Sequence, residues 1–153
     1  MPQNSFVKGG EYRIAFEADS AGNAYVFTEA VDEQGRAVYE LLYPMPKVNG
    51  GAARVEPGQQ VQTRTDTVGE ERNTKIIWLI WTAGKQDDLE AARGAAIASD
   101  GVVLGDNELQ KLKHFLERNK NNRLNLRNEG ANNEIVLTGS GDRLVHRIEL
   151  ERN

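Results

Sequence analysis

His114 and His146 are the only histidines in this 153-residue chain. They are also the side chains best suited to move protons near neutral pH or to hold a metal. His114 falls in DNELQKLKHFLERN, beside Lys111, Lys113 and Arg118. A metal wants a second His or carboxylates at helical spacing, and these cations oppose one, so a surface helix residue is the preferred reading. His146 alternates with Leu144, Ile148 and Leu150 in RLVHRIELER, which predicts an inward-facing imidazole with a backbone partner. Ser140 and Asp142 would complete a Ser–His–Asp set on paper. Ser140, however, lies in a Gly-Ser-Gly turn and lacks the strand-turn-helix elbow that exposes such a nucleophile.

The remaining chemistry-bearing stretches are explained by folding. DSAGN and DDLE carry oxygens but not the alternating ligand spacing of a calcium loop. GSGD and VNGG lack the Lys-Ser/Thr pair of a phosphate loop. With no cysteine, disulfides, thiolate nucleophiles and Cys-based zinc sites are excluded. No catalytic residue, cofactor or metal ligand is expected. One candidate binding surface remains: Tyr25, Tyr39, Tyr43 and Asn49, around the Asp32–Arg36 hairpin and the Pro44–Gly58 loop. The aromatics there could line a groove or stack on sugars, but core packing across a hairpin is the preferred use. Trp78 and Trp81 are assigned to the core as well.

The elements that would position these residues follow from hydrophobic period. Strands are expected over EYRIAFEAD, with Tyr12, Ile14, Phe16 and Ala18 on one face, and over AYVFTEAV and AVYELLYP. Gly35 sits at a left-handed position in the DEQGR hairpin between the last two, and Pro44 and Pro46 end the second. A short extended piece is expected at Ala53–Val55 and a weak edge strand at Val61–Thr65, with DTVGEERN as a loop. Two helices follow. DDLEAARGAAIA (Asp87–Ala98) has Asp87 as candidate N-cap and Glu90 three residues on. Asp106–Asn119, also with a capping Asp, has an apolar stripe of Leu109, Leu112, Phe115 and Leu116. KNNRLNLRNEGANN is expected as a long loop, extended at Leu124–Leu126, and EIVLTGSGDRLVHRIELER as a closing hairpin.

Thr74–Ala83, TKIIWLIWTA, organises the rest. Ile76, Trp78 and Ile80 point one way, Ile77, Leu79 and Trp81 the other. Three large side chains left in water on either face would each forgo roughly 1.5–3 kcal/mol. The strand must therefore be central, with strands on one side and at least one helix, or a dimer partner, on the other. The expected fold is α+β and mainly β. It is an antiparallel sandwich-like domain, residues 1–153, with one or two helices covering one sheet face.

An apolar share of 39% and a charged share of 27% argue against wholesale disorder. The net charge of −4, with scattered basic residues, disfavours nucleic acid. No apolar run reaches the ~18 residues of a membrane span. The start, MPQNSFVKGGEY, has no signal-peptide stretch. A cytoplasmic location follows unless a leader was removed, in which case an extracytoplasmic one is favoured.

NAYVFTEAVDEQGRAVYELLYPMPKVNGGAARVEPGQQ, with an aromatic-rich strand, an acidic Gly hairpin, a strand closing on Leu-Tyr-Pro and a Pro-Gly turn, resembles the bacterial family called domain of unknown function 4384. GGEYRIAFEAD before it and IIWLIWTA after it fit the family order, so the resemblance covers roughly residues 6–98 and leaves 99–153, a helix and a closing hairpin, outside it. It implies a small β-rich accessory module of larger bacterial proteins, with no catalytic residues to carry over. The functional expectation is a non-catalytic module that meets a protein partner or an attached domain, for instance through the Val61–Thr65 edge. The alternatives are a domain binding a small ligand or glycan and, ranked last, a hydrolase using His114 and the Asn-rich loop.

Overall fold

The computed structural model describes residues 4–7, 11–12, 14–18, 20–31, 34–44, 53–63, 66–67, 74–99, 101–103, 105–119, 125–129, 134–138 and 143–152. In chain order the strands are β1 (Asn4–Val7), β2 (Glu11–Tyr12), β3 (Ala15–Ala18), β4 (Gly22–Val31), β5 (Ala37–Tyr43), β6 (Arg54–Val55), β7 (Val61–Gln62), β8 (Asp66–Thr67) and β9 (Thr74–Thr82). The helices α1 (Asp87–Ala98) and α2 (Asp106–Asn119) follow, then β10 (Asn125–Glu129), β11 (Glu134–Thr138) and β12 (Arg143–Arg152).

The main sheet has the order β1-β12-β9-β4-β5, with β6 paired to the start of β4. A second sheet runs β10-β11-β3-β7, and β2 pairs with β8. Most pairings are antiparallel, and short connections join β4 to β5 and β10 to β11. Two are parallel: β1 with β12, and β11 with β3. The apolar strand β9 lies inside the main sheet, flanked by β12 and β4 over nearly its whole length.

Both faces of β9 are covered. Ile77, Leu79 and Trp81 share a core with Ile14, Phe16 and Val61 of the second-sheet side, together with Val26, Tyr43 and Ile148. Ile80 joins Tyr25, Phe27, Leu41 and Val145 under Leu89, Ala92, Leu112, Phe115 and Leu116 of the two helices. Ile77, Leu79 and Ile80 are each fully buried, which is worth roughly 1.5–3 kcal/mol per side chain. The helices cover one face of the main sheet and the second sheet covers the other. α1 contributes Ala92 and Ala96, small enough to bring its axis close to the sheet.

Several local expectations change. The strand expected over EYRIAFEAD is two pieces, β2 and β3, in different sheets, although Ile14 and Phe16 do face one core. Part of the expected DTVGEERN loop is β8, drawn into a bridge by β2. Both helices begin one residue earlier in function than their acids suggested. Gln86 is the N-cap of α1, without a side-chain cap bond, and Gly105 lends its carbonyl to the Leu109 amide at the start of α2. Asp87 and Asp106 instead lie in the first turn, where a negative charge suits the helix dipole.

The largest correction concerns the C-terminal third. β11 and β12 are not a hairpin: β11 pairs with β10 and β3, and β12 with β9 and β1. Asn125–Glu129, expected to be largely loop, is the strand that pairs with β11. The reason lies in β9. A buried strand must satisfy its backbone on both edges, and β12, ten residues long, matches its register from Arg143 opposite Thr82 to Glu151 opposite Thr74. β11, with five residues, cannot. The Gly139–Asp142 turn lies outside the described residues.

The far edge of β5 is closed by the segment joining the helices. Gly101 accepts from the Leu41 amide at 2.6 Å, and the Val103 amide donates to the Tyr39 carbonyl at 2.9 Å. Gly101 takes a φ of 99°, which a side chain would resist.

Candidate functional site

The residues proposed for a binding surface go to different places. Tyr25 and Tyr39 point toward the helices and Tyr43 toward the second sheet, and all three are buried. Tyr43 meets Phe16 edge to face, with ring centroids 5.3 Å apart. Asn49 lies outside the described residues. The tyrosines also do not pair with one another across the hairpin: Tyr39 lies opposite Glu29 and Tyr43 opposite Val26, because the β4–β5 register shifts between Val26 and Phe27. They are therefore not assembled on an exposed surface.

His114 is exposed on α2. His146 lies opposite Leu79 in the β12–β9 ladder, and its side chain, like Ser140 and Asp142, lies outside what is described. Among the described residues, no three His, Asp or Glu side chains converge so as to hold a metal ion. No helix among them is long and apolar enough to cross a membrane. Within the expected Val61–Thr65 edge, Val61–Gln62 is paired strand, and residues 64–65 lie outside the described residues. Thr63 then turns inward: its amide donates to the Ile14 carbonyl at 2.8 Å, and its Oγ1 accepts from the Ile14 amide at 3.0 Å.

What the fold does assemble are two polar centres on the helix side of the main sheet. In the first, the buried Tyr25 hydroxyl donates to the Glu90 carboxylate. Arg93, one turn along α1, donates to the same carboxylate through Nη2 at 2.8 Å and Nε at 3.1 Å. Burial raises the Tyr25 phenol far above its ordinary value of 10.0, and the bond to Glu90 adds to the effect. Burial also pushes the Glu90 carboxyl upward, but the hydrogen bonds from Arg93 and Tyr25 together outweigh it and hold the group below its usual 4.5. The result is a neutral phenol and a charged carboxylate that pin α1 to β4. The Glu-x-x-Arg spacing marks the ion pair in the sequence. Nothing local marks Tyr25 as its third member, 65 residues away.

The second centre lies two residues further along β4. The register sets Phe27, Trp78 and Arg147 side by side across three strands, and Glu29, Ile76 and Glu149 in the next row. The Trp78 indole donates to Glu29 Oε1 at 2.8 Å. Tyr39 hydrogen-bonds the same carboxylate, and burial followed by that bond raises its phenol well above the ordinary value. The Arg147 guanidinium sits 6.0 Å from the Trp78 ring centroid, with Glu149 Oε2 3.9 Å from Arg147 Nη1. Burial fades along this face. Tyr25 and Ile80 are covered, Trp78, Glu29 and Ile76 are half-buried, and Val31 is 42% exposed. The helices thus leave one end of the sheet open. This shelf was missed because both tryptophans were assigned wholly to the core. The signal that was available is that an indole N–H inside a sheet needs an acceptor.

Compared with family models, curated proteins and solved structures, the chain matches none of them. The likeness to domain of unknown function 4384 therefore carries forward only as part of the proposal below.

Proposed function

We propose that this chain is a non-catalytic interaction module, an accessory unit of a bacterial protein as the family resemblance implies, that meets its partner on the open end of the main sheet. One observation carries the reading. Trp78 packs at the border of the helix-side core and stays partly in water, and Ile76, half-buried, and Val31, exposed, continue the same sheet face beyond it. Partly exposed apolar side chains next to fixed polar groups are the composition of an interaction surface. Tyr25, Glu90 and Arg93 are engaged with one another, which favours a structural use of those groups over a chemical one.

Site-specific photo-crosslinking tests this. A crosslinker at Val31 should capture a protein partner in cells of the source bacterium, and one at the exposed Lys111 of α2 should not. Equal capture from both positions, or capture from Lys111 alone, overturns the reading.

A further inference from the structure

The shelf also carries a preference for the charge of what it binds, which rests on the interaction-module reading. Glu29 is held by two donors, the Trp78 indole and the Tyr39 hydroxyl. A carboxylate so fixed loses little freedom when a cation arrives, so it is preorganised. Donation from the indole N–H to a carboxylate also leaves more electron density on the ring, and an electron-rich ring face attracts cations. Glu149 adds a second carboxylate in the same row. The chain as a whole carries a net charge of −4.

The structure also shows which group the ring accepts. Arg147 lies over Trp78 at the outer limit of a cation–π contact. It is loosely held. Its side chain is 44% exposed, and the nearest Glu149 oxygen, at 3.9 Å, is beyond hydrogen-bonding distance. A guanidinium in that position is a weak internal occupant of a site that a stronger external one can take.

We propose that the shelf binds a basic segment of a partner protein, whose arginine or lysine replaces Arg147 over Trp78 and pairs with Glu29 and Glu149, while its apolar neighbours cover Ile76 and Val31. Arg147 then competes with the partner for the site. An acidic partner would need Arg147 as its anchor, so the two readings predict opposite effects of removing it.

The experiment follows the two indole N–H resonances of the intact chain by NMR, with Trp78→Phe assigning the Trp78 signal. The probes are an Arg-Gly repeat peptide, a Glu-Gly repeat peptide and a chitin oligosaccharide. The Trp78 resonance should shift saturably with the Arg-Gly peptide alone. Arg147→Ala should tighten that binding by about two- to fivefold, the range of an exposed cation–π contact. Glu29→Gln, with its spectrum showing a folded chain, should weaken it by at least a similar factor. Raising salt from about 0.15 M to about 1 M should weaken it further as charges are screened. Binding of the Glu-Gly peptide, weakened by Arg147→Ala, would assign the shelf to an acidic partner and overturn the proposal. A response only to the sugar, or to none of the probes, also overturns it. In those cases the Val31 crosslinking result still decides separately whether the shelf meets a protein at all.

Discussion

Replacing Gly22 with Ala adds a single methyl group, and the structure gives it no room. A Cβ at this position would lie 2.6 Å from Cε2 and Cζ2 of Trp81 and 2.6 Å from the Thr82 carbonyl oxygen. Ordinary contact begins near 3.4 Å, so both neighbours must retreat by most of an ångström. Neither can do so cheaply. The carbonyl belongs to β9, paired on both edges, and the indole is 8% exposed within the core shared with the second sheet. Overpacking of this kind costs about 1–3 kcal/mol. The methyl also restricts the unfolded chain, an opposing gain of about 0.4–1 kcal/mol. The net expectation is a loss of about 1–2 kcal/mol. Gly94→Ala is the control: the same methyl meets nothing within 4 Å, in the interior of α1, and should stabilise by about 0.8–1 kcal/mol. Urea unfolding followed by far-UV circular dichroism measures both, as midpoint shifts of opposite sign with unchanged slope. Pairing Gly22→Ala with Trp81→Phe should recover part of the loss, because the ring atoms in conflict are gone. A Gly22→Ala protein as stable as the parent would refute the packing of Trp81 against β4.

The Tyr25–Glu90 bond should appear as a coupling of roughly 1–2 kcal/mol in a double-mutant cycle of Tyr25→Phe and Glu90→Gln, since a charged acceptor strengthens it; additive effects would argue against the contact. The same centre has a pH signature. The folded-state value of Glu90 is depressed, so its contribution is complete above 4.5 and lost as pH falls through the lower folded value. That of Tyr25 is raised, so its contribution is complete below 10.0 and lost as pH rises beyond it. Glu90→Gln should therefore flatten the acid limb of stability against pH, and Tyr25→Phe the alkaline limb, where Tyr39 leaves a residue of its own. Phe115→Ala, emptying a site 1% exposed between α2 and the sheet, should cost about 3–5 kcal/mol in chemical denaturation. A loss under about 1 kcal/mol would mean the helix does not rest on that side chain.

Those predictions draw on features of very different visibility in the sequence. Both helices were legible to the residue, because period and composition are local and the Leu112, Phe115 and Leu116 stripe has one use. The double-sided burial of β9 was legible too, since six large apolar residues in a strand need cover on both faces whatever supplies it. The closing hairpin was misread for the complementary reason. Adjacent strands pair by default, but the edge of β9 needed a partner of its own length, and only β12 had it. The tyrosines were correctly weighed as core. The sequence alone could not say that Tyr25 would share its hydroxyl with a glutamate 65 residues along the chain.

Amino-acid order by itself determined the two helices, the strands β4, β5, β9 and β12, the two faces of β9, and the exclusion of thiol chemistry, because each depends on residue type and short-range period. Tertiary structure alone decided which strands share a sheet, and hence that Trp78 lies beside Glu29 and Arg147 at the border of the helix-side core. Side chains drawn from three strands become neighbours only through register, and register is set by the burial of the whole sheet.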